Sequence, residues 1–139
     1  MATVDLNGVW KLDRDENFDE FLSKMGVNWM KRKIINGFAK NITVTIKQSG
    51  DDFVISTKTP RDTNETKFKI GEPFKGANKM TGNSFEMKPR IEDGKLIVEP
   101  VSGTDNPTVT REIINDELVQ TMNKDGVVCK RIFKRGEAQ

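Results

Sequence analysis

Short stretches in which apolar and polar residues alternate follow one another along most of the chain. Such alternation predicts β-strands, because successive side chains of a strand point to opposite faces. Turn-forming residues separate the stretches, as at Ser49-Gly50-Asp51 and Asn115-Asp116. We expect about ten strands, mostly at the spacing of roughly 8–12 residues that is typical of an all-β barrel or sandwich. The stretches read GVWKL, ITVTIKQ, DFVISTK, TKFKIG, SFEMKPRI, KLIVEP, PTVTREII, ELVQTM and VVCKRIFKR.

Helical periodicity occurs in one region only, between the first and second of these strands. After Asn17, a candidate N-cap, the apolar residues recur at spacings of three and four, at Phe18, Phe21, Leu22 and Met25. A second helix is expected from about residue 28 to 38. It would bury Met30, Ile34 and Ile35, and would expose Lys31, Arg32 and Lys33.

Closure into a barrel would remove the exposed edges that so many hairpins otherwise leave. A barrel of roughly eight strands can already hold one small ligand, so ten strands should leave a cavity. We therefore predict an all-β fold, a ten-stranded antiparallel up-and-down β-barrel with a helix-turn-helix lid inserted after the first strand. At 139 residues and without a linker-like stretch, the chain is expected to form one domain spanning 1–139.

Composition and charge exclude several classes of protein. Charged residues make up 32% of the chain and the net charge is +2, which argues against a nucleic-acid-binding protein. No apolar run approaches the ~18 residues of a membrane span, and the N-terminus MATVDLNGVW lacks the features of a signal peptide. A single cysteine excludes an internal disulfide framework. We expect a cytoplasmic, monomeric protein.

Catalytic and metal-binding residues are not apparent. Because the chain contains no histidine, Ser-His and Cys-His nucleophile pairs and histidine-ligated metals are excluded. The spacing of oxygen ligands that begins at Asp13 resembles the start of an EF-hand loop, but Phe18 replaces the required glycine and Lys24 the bidentate glutamate. We predict no metal, no cofactor and no enzymatic activity, and we interpret this acidic run as a solvated strand end.

Two strands each carry an arginine between apolar residues, on the face that should be dry. Arg131 shares a face with Cys129 and Phe133, and Arg111 lies between Val109 and Ile113. Burying an unpaired guanidinium costs several kcal/mol, so its charge must be neutralised. One interpretation is structural: an internal ion pair with a buried glutamate, or a bulge that reverses the faces. The other is a ligand carboxylate held by charge-assisted hydrogen bonds inside an apolar cavity.

Other residues on the inner faces have a structural and a functional interpretation. Gln120 and Met122 share a face of the strand before the last, where they would line the cavity or fill the core. Trp10 and Phe18 are expected to pack between barrel and helix. Cys129 is expected beside Arg131, as an inert buried thiol.

The chain resembles a known family in several ordered runs. GVWKL followed by ENFDEFL is similar to the N-terminal signature of the intracellular lipid-binding proteins, which include fatty-acid-binding and cellular retinoid-binding proteins. The resemblance continues through GVNWMKRK, KFKIGE, TREIINDEL and VVCKRIFKR, and so covers essentially the whole chain. It implies a ten-stranded antiparallel barrel capped by a helix-turn-helix, and a non-enzymatic carrier.

The resemblance also implies a ligand class. In carboxylate-binding members, an arginine at the position of Arg111 acts with an arginine-x-tyrosine pair on the last strand. Arg131 matches that arginine, whereas Phe133 stands where the tyrosine would be, so one hydroxyl donor is missing. Retinol-binding members carry glutamines in place of both arginines. We predict that the buried arginines hold the carboxylate of a long-chain fatty acid. Retinoic acid is the second candidate. A bile acid is the third, because GDDFVISTKTPR resembles the liver and bile-acid-binding branch.

The basic triplet Lys31-Arg32-Lys33 has two interpretations. It is either an ordinary solvated helix face or, on a lid, a surface that makes transient contact with anionic membranes. Three classes of function follow from the sequence: a carrier of a hydrophobic acid, an enzyme in a similar barrel, and an interaction module whose buried arginines are only structural.

Overall fold

A computed structural model describes residues 4–38, 40–77, 84–101 and 106–137. It contains ten strands and two helices, and both helices lie between the first two strands. In chain order the elements are β1 (Gly8–Glu16), α1 (Phe18–Lys24), α2 (Trp29–Phe38), β2 (Thr43–Ser49), β3 (Asp52–Lys58), β4 (Thr63–Lys69), β5 (Phe74–Ala77), β6 (Ser84–Glu92), β7 (Lys95–Pro100), β8 (Thr108–Ile114), β9 (Glu117–Lys124) and β10 (Val127–Arg135).

The ten strands form one antiparallel sheet that curls into a nearly closed barrel. Their order is β4-β3-β2-β1-β10-β9-β8-β7-β6-β5, so β1 pairs with both β2 and β10. The two edge strands of the sheet, β4 and β5, meet through their side chains. Phe68 of β4 stacks on Phe74 of β5, with ring centroids 5.1 Å apart. The predicted up-and-down barrel and its inserted helix pair are confirmed.

Local turn chemistry explains why the chain reverses where it does. Asn115 and Asp116 have φ values of 52° and 63°, the backbone conformation of a two-residue hairpin turn, which asparagine and aspartate tolerate well. In the turn between β3 and β4, the N–H of Thr59 donates to the carbonyl of Asp62 at 2.8 Å. The turn at Asn115-Asp116 lies where the sequence predicts it.

Helix α1 packs its apolar side against the barrel. Phe18, Phe21 and Leu22 are buried, as the periodicity predicts. Asn17 occupies the N-cap position, but the predicted capping role of its side chain is wrong. It adopts a positive φ of 64° and its Nδ2 donates instead to the carbonyl of Val128, at 3.0 Å. Asn17 therefore fastens the start of α1 to β10.

Helix α2 differs from its prediction in which side it buries. Met30 and Ile34 were expected to be buried, but they are 68% and 54% exposed, and Trp29 is 60% exposed. Of the three residues expected to be buried, Met30, Ile34 and Ile35, the last alone is half-buried. Ile34 and Ile35 line a cavity and Ile35 also packs against the core, so the apolar side of α2 keeps part of its accessible surface.

Arg32 also departs from the expectation that the basic triplet is fully exposed. Its Nη1 donates to the carbonyl of Val27 at 2.9 Å, and its Nε lies 3.3 Å from Oδ1 of Asp19 on α1. Arg32 is therefore half-buried between the helices. Lys31 and Lys33 remain exposed.

The core fills the barrel beside the cavity. Trp10 of β1 is fully buried, and its indole N–H donates to the carbonyl of Leu6 at 3.0 Å. Arg135 lies over the same indole, with its guanidinium carbon 4.4 Å from the ring centroid. Trp10 is thus a packing residue, as predicted. Among the residues that the structure describes, no helix is both long enough and apolar enough to cross a membrane.

Candidate functional site

An internal cavity of about 1030 Å³ lies between the helix pair and the inner faces of the barrel strands. Its volume is at the upper end of ordinary small-molecule sites. Aromatic and aliphatic side chains form one part of its wall, and polar side chains form the others. The apolar lining residues are Phe18, Phe21, Ile34, Ile35, Ile42, Phe74, Phe85 and Met122.

Three polar side chains form a row across neighbouring strands on the inner face. Arg111 of β8 is directly opposite Gln120 of β9, which is in turn directly opposite Arg131 of β10. Residues directly opposite each other in an antiparallel pair share one face of the sheet. Gln120 and Arg131 line the cavity, so Arg111 has the same inward orientation. The predicted inward direction of both arginines is therefore confirmed.

Arg131 is almost fully enclosed by protein, with 7% of its surface exposed. Its guanidinium carbon lies 4.2 Å from the centroid of the Phe18 ring, within the range of a cation–π contact. Its Nη2 lies 3.5 Å from Oδ2 of Asp15 on β1. Burial lowers the pKa of Arg131, and the neighbouring Asp15 carboxylate opposes that shift. An ion pair inside the barrel was one of the two interpretations above, although its acid is an aspartate and not a glutamate.

A β-bulge explains why Asp15 reaches this position. Leu12 is opposite Phe133 and Arg14 is opposite Ile132, so Asp13 is an extra residue in β1. The extra residue shifts the alternation by one, which places Asp15 opposite Arg131. Asp15 is exposed, as expected of a solvated strand end, but the sequence interpretation did not include its contact with Arg131. Regular alternation counted from Trp10 along β1 does not predict that Asp15 lies opposite Arg131.

Arg111 differs from Arg131 in that no acidic side chain in the described part of the chain offsets the effect of burial on its pKa. Its Nε exposes almost no surface and has no hydrogen-bond partner among the described residues. Burial alone lowers its pKa to about 10, because desolvation disfavours the charged guanidinium. At neutral pH the side chain is still protonated. Arg111 is therefore a half-buried cation on the inner face of the barrel, with its Nε shielded from solvent.

The remaining predicted site residues divide between cavity and core. Gln120 and Met122 line the cavity, and Nε2 of Gln120 lies 3.6 Å from Sδ of Met122. Phe133 is only 1% exposed and belongs to the hydrophobic core. Cys129 is also in the core, where burial raises the pKa of its thiol to about 11, so it is an unreactive thiol at neutral pH. Of the five predicted residues, three (Gln120, Met122 and Arg131) are among those that line the cavity.

Sequence reasoning missed most of the polar wall near the turn between β3 and β4. These side chains belong mainly to β4 and its flanking turn, where charged and hydroxyl residues follow each other without a clear apolar face. Lys31 of α2 and Lys75 of β5 add positive charge to the same wall. The polar and charged lining residues outside the arginine row are Lys31, Thr57, Thr59, Arg61, Asp62, Asn64, Glu65, Thr66, Lys67 and Lys75.

Comparison with known proteins gives relatives over nearly the whole chain. Cellular retinoic acid-binding protein 1 of Bos taurus is 40% identical over 132 residues, which is 92% of this chain and 96% of that protein. The intestinal fatty acid-binding protein of Xenopus laevis is 38% identical over 137 residues, 94% of this chain and 98% of that protein. Both confirm the resemblance to lipid-binding proteins.

Solved structures have the same fold. The structure of human cRBP IV matches with a TM-score of 0.87 and 28% identity over 96% of this chain and 99% of that one. The REP1-NXSQ fatty acid transporter matches with a TM-score of 0.86 and 30% identity over 97% and 98%. The family model described as lipocalin / cytosolic fatty-acid binding protein matches residues 7–136. These findings confirm a lipid-binding protein rather than an enzyme: the chain belongs to the lipocalin / cytosolic fatty-acid binding protein family.

Proposed function

We propose that the protein is a monomeric cytoplasmic carrier that binds a long-chain fatty acid in its cavity, with the carboxylate held by Arg111 and Arg131. The observation that carries this proposal is the inward row Arg111-Gln120-Arg131. A carboxylate accepts charge-assisted hydrogen bonds from two guanidinium groups, and Gln120 between them can donate from its amide. An incoming anion would supply the acceptor that Nε of Arg111 lacks among the described residues.

The shape and lining of the cavity support a long apolar tail. Phe18 and Phe21 of α1 lie on one side, and Phe74 and Phe85 lie on another, at the seam of the barrel. A hydrocarbon chain could pack against these rings. Its carboxylate could contact the guanidinium of Arg131, which lines the same cavity. Burial of each methylene contributes roughly 0.8 kcal/mol, so a long chain gains most of its affinity here.

Retinoic acid is the second candidate, because a relative that is 40% identical is named as a cellular retinoic acid-binding protein. Retinoic acid also carries one carboxylate on an apolar body, so the arginine row would hold it in the same way. The two candidates differ in the shape of the tail, not in the head group. Parallel titrations with both acids would decide between them.

A comparison of head groups tests the proposal. Delipidated protein is titrated with a fluorescent fatty acid and with the alcohol of the same chain, and likewise with retinoic acid and retinol. We expect each acid to bind at least about tenfold more tightly than its alcohol, since a hydrogen bond to a charged group contributes roughly 1.5–3 kcal/mol. Equal affinity for acid and alcohol would contradict a carboxylate site at the arginines.

We also propose that α2 makes transient contact with anionic membranes. Trp29 and Met30 are exposed large apolar side chains at the start of this helix, next to the exposed Lys31 and Lys33. The ammonium of Lys33 lies 4.3 Å from the centroid of a ring of Trp29, so charge and apolar surface are presented together. Near an anionic surface each lysine adds roughly 1 kcal/mol of attraction. Arg32 is engaged within the helix pair and is not part of this surface.

Replacing both Lys31 and Lys33 with glutamine is therefore expected to slow ligand transfer to anionic vesicles several-fold at low salt. The effect should disappear at high salt, because screening shortens the range of the attraction. The control is the double change of Lys47 and Lys130 to glutamine, which removes the same charge from exposed positions on β2 and β10. Equal slowing in both double variants would show that only net charge matters and not the surface of α2.

A further inference from the structure

Asp15 has no role in the family resemblance or in the proposed carboxylate site, yet it is the acid that faces Arg131. We propose that Asp15 is a built-in counter-ion that sets the net charge of the head-group site at +1, so that the site accepts monoanionic head groups and disfavours dianionic ones. This inference rests on the proposed function, because it concerns the same arginine row. It assigns to Asp15 a role in selecting the ligand class.

The charge of the site follows from four neighbouring strands. Arg111 and Arg131 each contribute +1, Gln120 between them is neutral, and Asp15 on β1 contributes −1. The sum is +1, which one carboxylate neutralises. A dianion such as an alkyl phosphate would leave an excess negative charge in a poorly hydrated site, where like charges a few ångström apart repel strongly.

The contact between Asp15 and Arg131 is loose enough to leave Arg131 open to a ligand. The distance between Nη2 of Arg131 and Oδ2 of Asp15 is 3.5 Å, longer than a well-formed charged hydrogen bond. The side chain of Asp15 is 33% exposed, whereas that of Arg131 is 8% exposed. Arg131 lines the cavity, so a ligand carboxylate can approach it from the inside while Asp15 holds the opposite side.

The position of Asp15 is a product of the bulge in β1. If β1 kept its regular alternation and Asp13 were not bulged out, Asp13 would lie opposite Ile132 and Arg14, not Asp15, would lie opposite Arg131. A cation there would repel Arg131. The bulge thus places an acidic and not a basic side chain opposite Arg131. In this way it contributes to the selection of the head group.

The test compares three ligands with the same hydrocarbon chain: hexadecanoate, hexadecyl phosphate above its second pKa, and methyl hexadecanoate. In the Asp15→Asn variant we expect hexadecanoate to bind about tenfold more tightly than in wild type, and hexadecyl phosphate roughly a hundredfold more tightly, because the removed repulsion scales with ligand charge. Binding of the methyl ester should not change. Asp15→Glu retains the charge and is expected to retain the wild-type preference.

Asp13→Asn is the matched control, since Asp13 lies on the same strand but contacts Arg14 and Lys134. It is expected to change all three affinities by less than about twofold. Equal gains in the Asp13 and Asp15 variants would overturn the inference, as would weaker binding of hexadecanoate to Asp15→Asn, which would make Asp15 a residue that positions Arg131. Denaturant unfolding of each variant verifies that the barrel is intact.

Failure of this inference is distinguishable from failure of the proposed function. If Arg111→Gln or Arg131→Gln abolishes the preference for acid over ester, but Asp15→Asn changes no affinity, only the counter-ion role is rejected. If the two arginine variants also leave the preference unchanged, the carboxylate site itself is rejected. The wild-type protein gives an independent measurement: it should bind hexadecanoate more tightly than hexadecyl phosphate, and the reverse order would contradict a site of net charge +1.

Discussion

Replacing Arg111 with glutamine is expected to weaken fatty-acid binding about a hundredfold, or roughly 2.7 kcal/mol, and to leave the ligand-free barrel at least as stable as wild type. The loss of affinity follows from removing one charged donor to the carboxylate. The ligand-free variant should be no less stable than wild type, because burial of the charged guanidinium is unfavourable. The same burial lowers the pKa of Arg111 to about 10. Binding is measured by titration, and stability by denaturant unfolding of the delipidated protein.

Arg90→Gln is the matched control for this change. Arg90 lies on β6, is half-exposed, and pairs with Glu92 and Glu99, so it is a surface arginine of the same chain. It should alter stability by no more than about 1 kcal/mol and ligand affinity not at all. If instead Arg111→Gln lost several kcal/mol of stability with affinity intact, Arg111 would be a structural residue and the proposed site would be wrong.

Arg131→Gln should behave differently from Arg111→Gln in the ligand-free protein. It leaves Asp15 without its cation, but the Asp15 side chain is one-third exposed and can be hydrated. We therefore expect a small loss of stability, below the 3–5 kcal/mol that is typical when a fully buried carboxylate loses its partner. Affinity for the fatty acid should fall as for Arg111→Gln.

The largest effect on stability is expected at Trp10. Trp10→Ala should cost about 3–5 kcal/mol of unfolding free energy, because it leaves a cavity in the core and removes the donor to the carbonyl of Leu6. The same change at Trp29, the other tryptophan of the chain, should cost less than about 0.5 kcal/mol, since that side chain is 60% exposed. Chemical denaturation measures both. A similar loss in the two variants would contradict the assignment of Trp10 to the core and Trp29 to the surface.

Much of the fold was predictable because the alternation of apolar and polar residues and the positions of turn-forming residues both agree with the barrel. Alternation identifies strands, and turn residues such as Asn115-Asp116 identify where they reverse. Strand β5 was missed because it has four residues and includes Gly76, which has a low strand propensity. The structure explains that glycine: a Cβ at position 76 would lie 2.6 Å from Cζ of Phe85, so the ring of Phe85 occupies the place of a side chain.

The candidate site was predictable only in part. The alternation in β8 and β10 is regular, so the inward direction of Arg111 and Arg131 follows from the sequence. The alternation in β1 is broken by a bulge, which is a property of strand pairing and not of the local sequence, so Asp15 was not predicted. The exposure of Ile34 was also unpredictable from periodicity, because an amphipathic helix over a cavity has the same pattern as one over a packed core.

A crystal structure with a bound long-chain fatty acid tests the carboxylate site most directly. The expected result is a ligand whose carboxylate oxygens lie within about 3 Å of guanidinium nitrogens of Arg111 and Arg131, with the tail against Phe74 and Phe85. A carboxylate at the polar wall beside Lys31, with no oxygen within hydrogen-bond distance of Arg111 or Arg131, would contradict the proposed site.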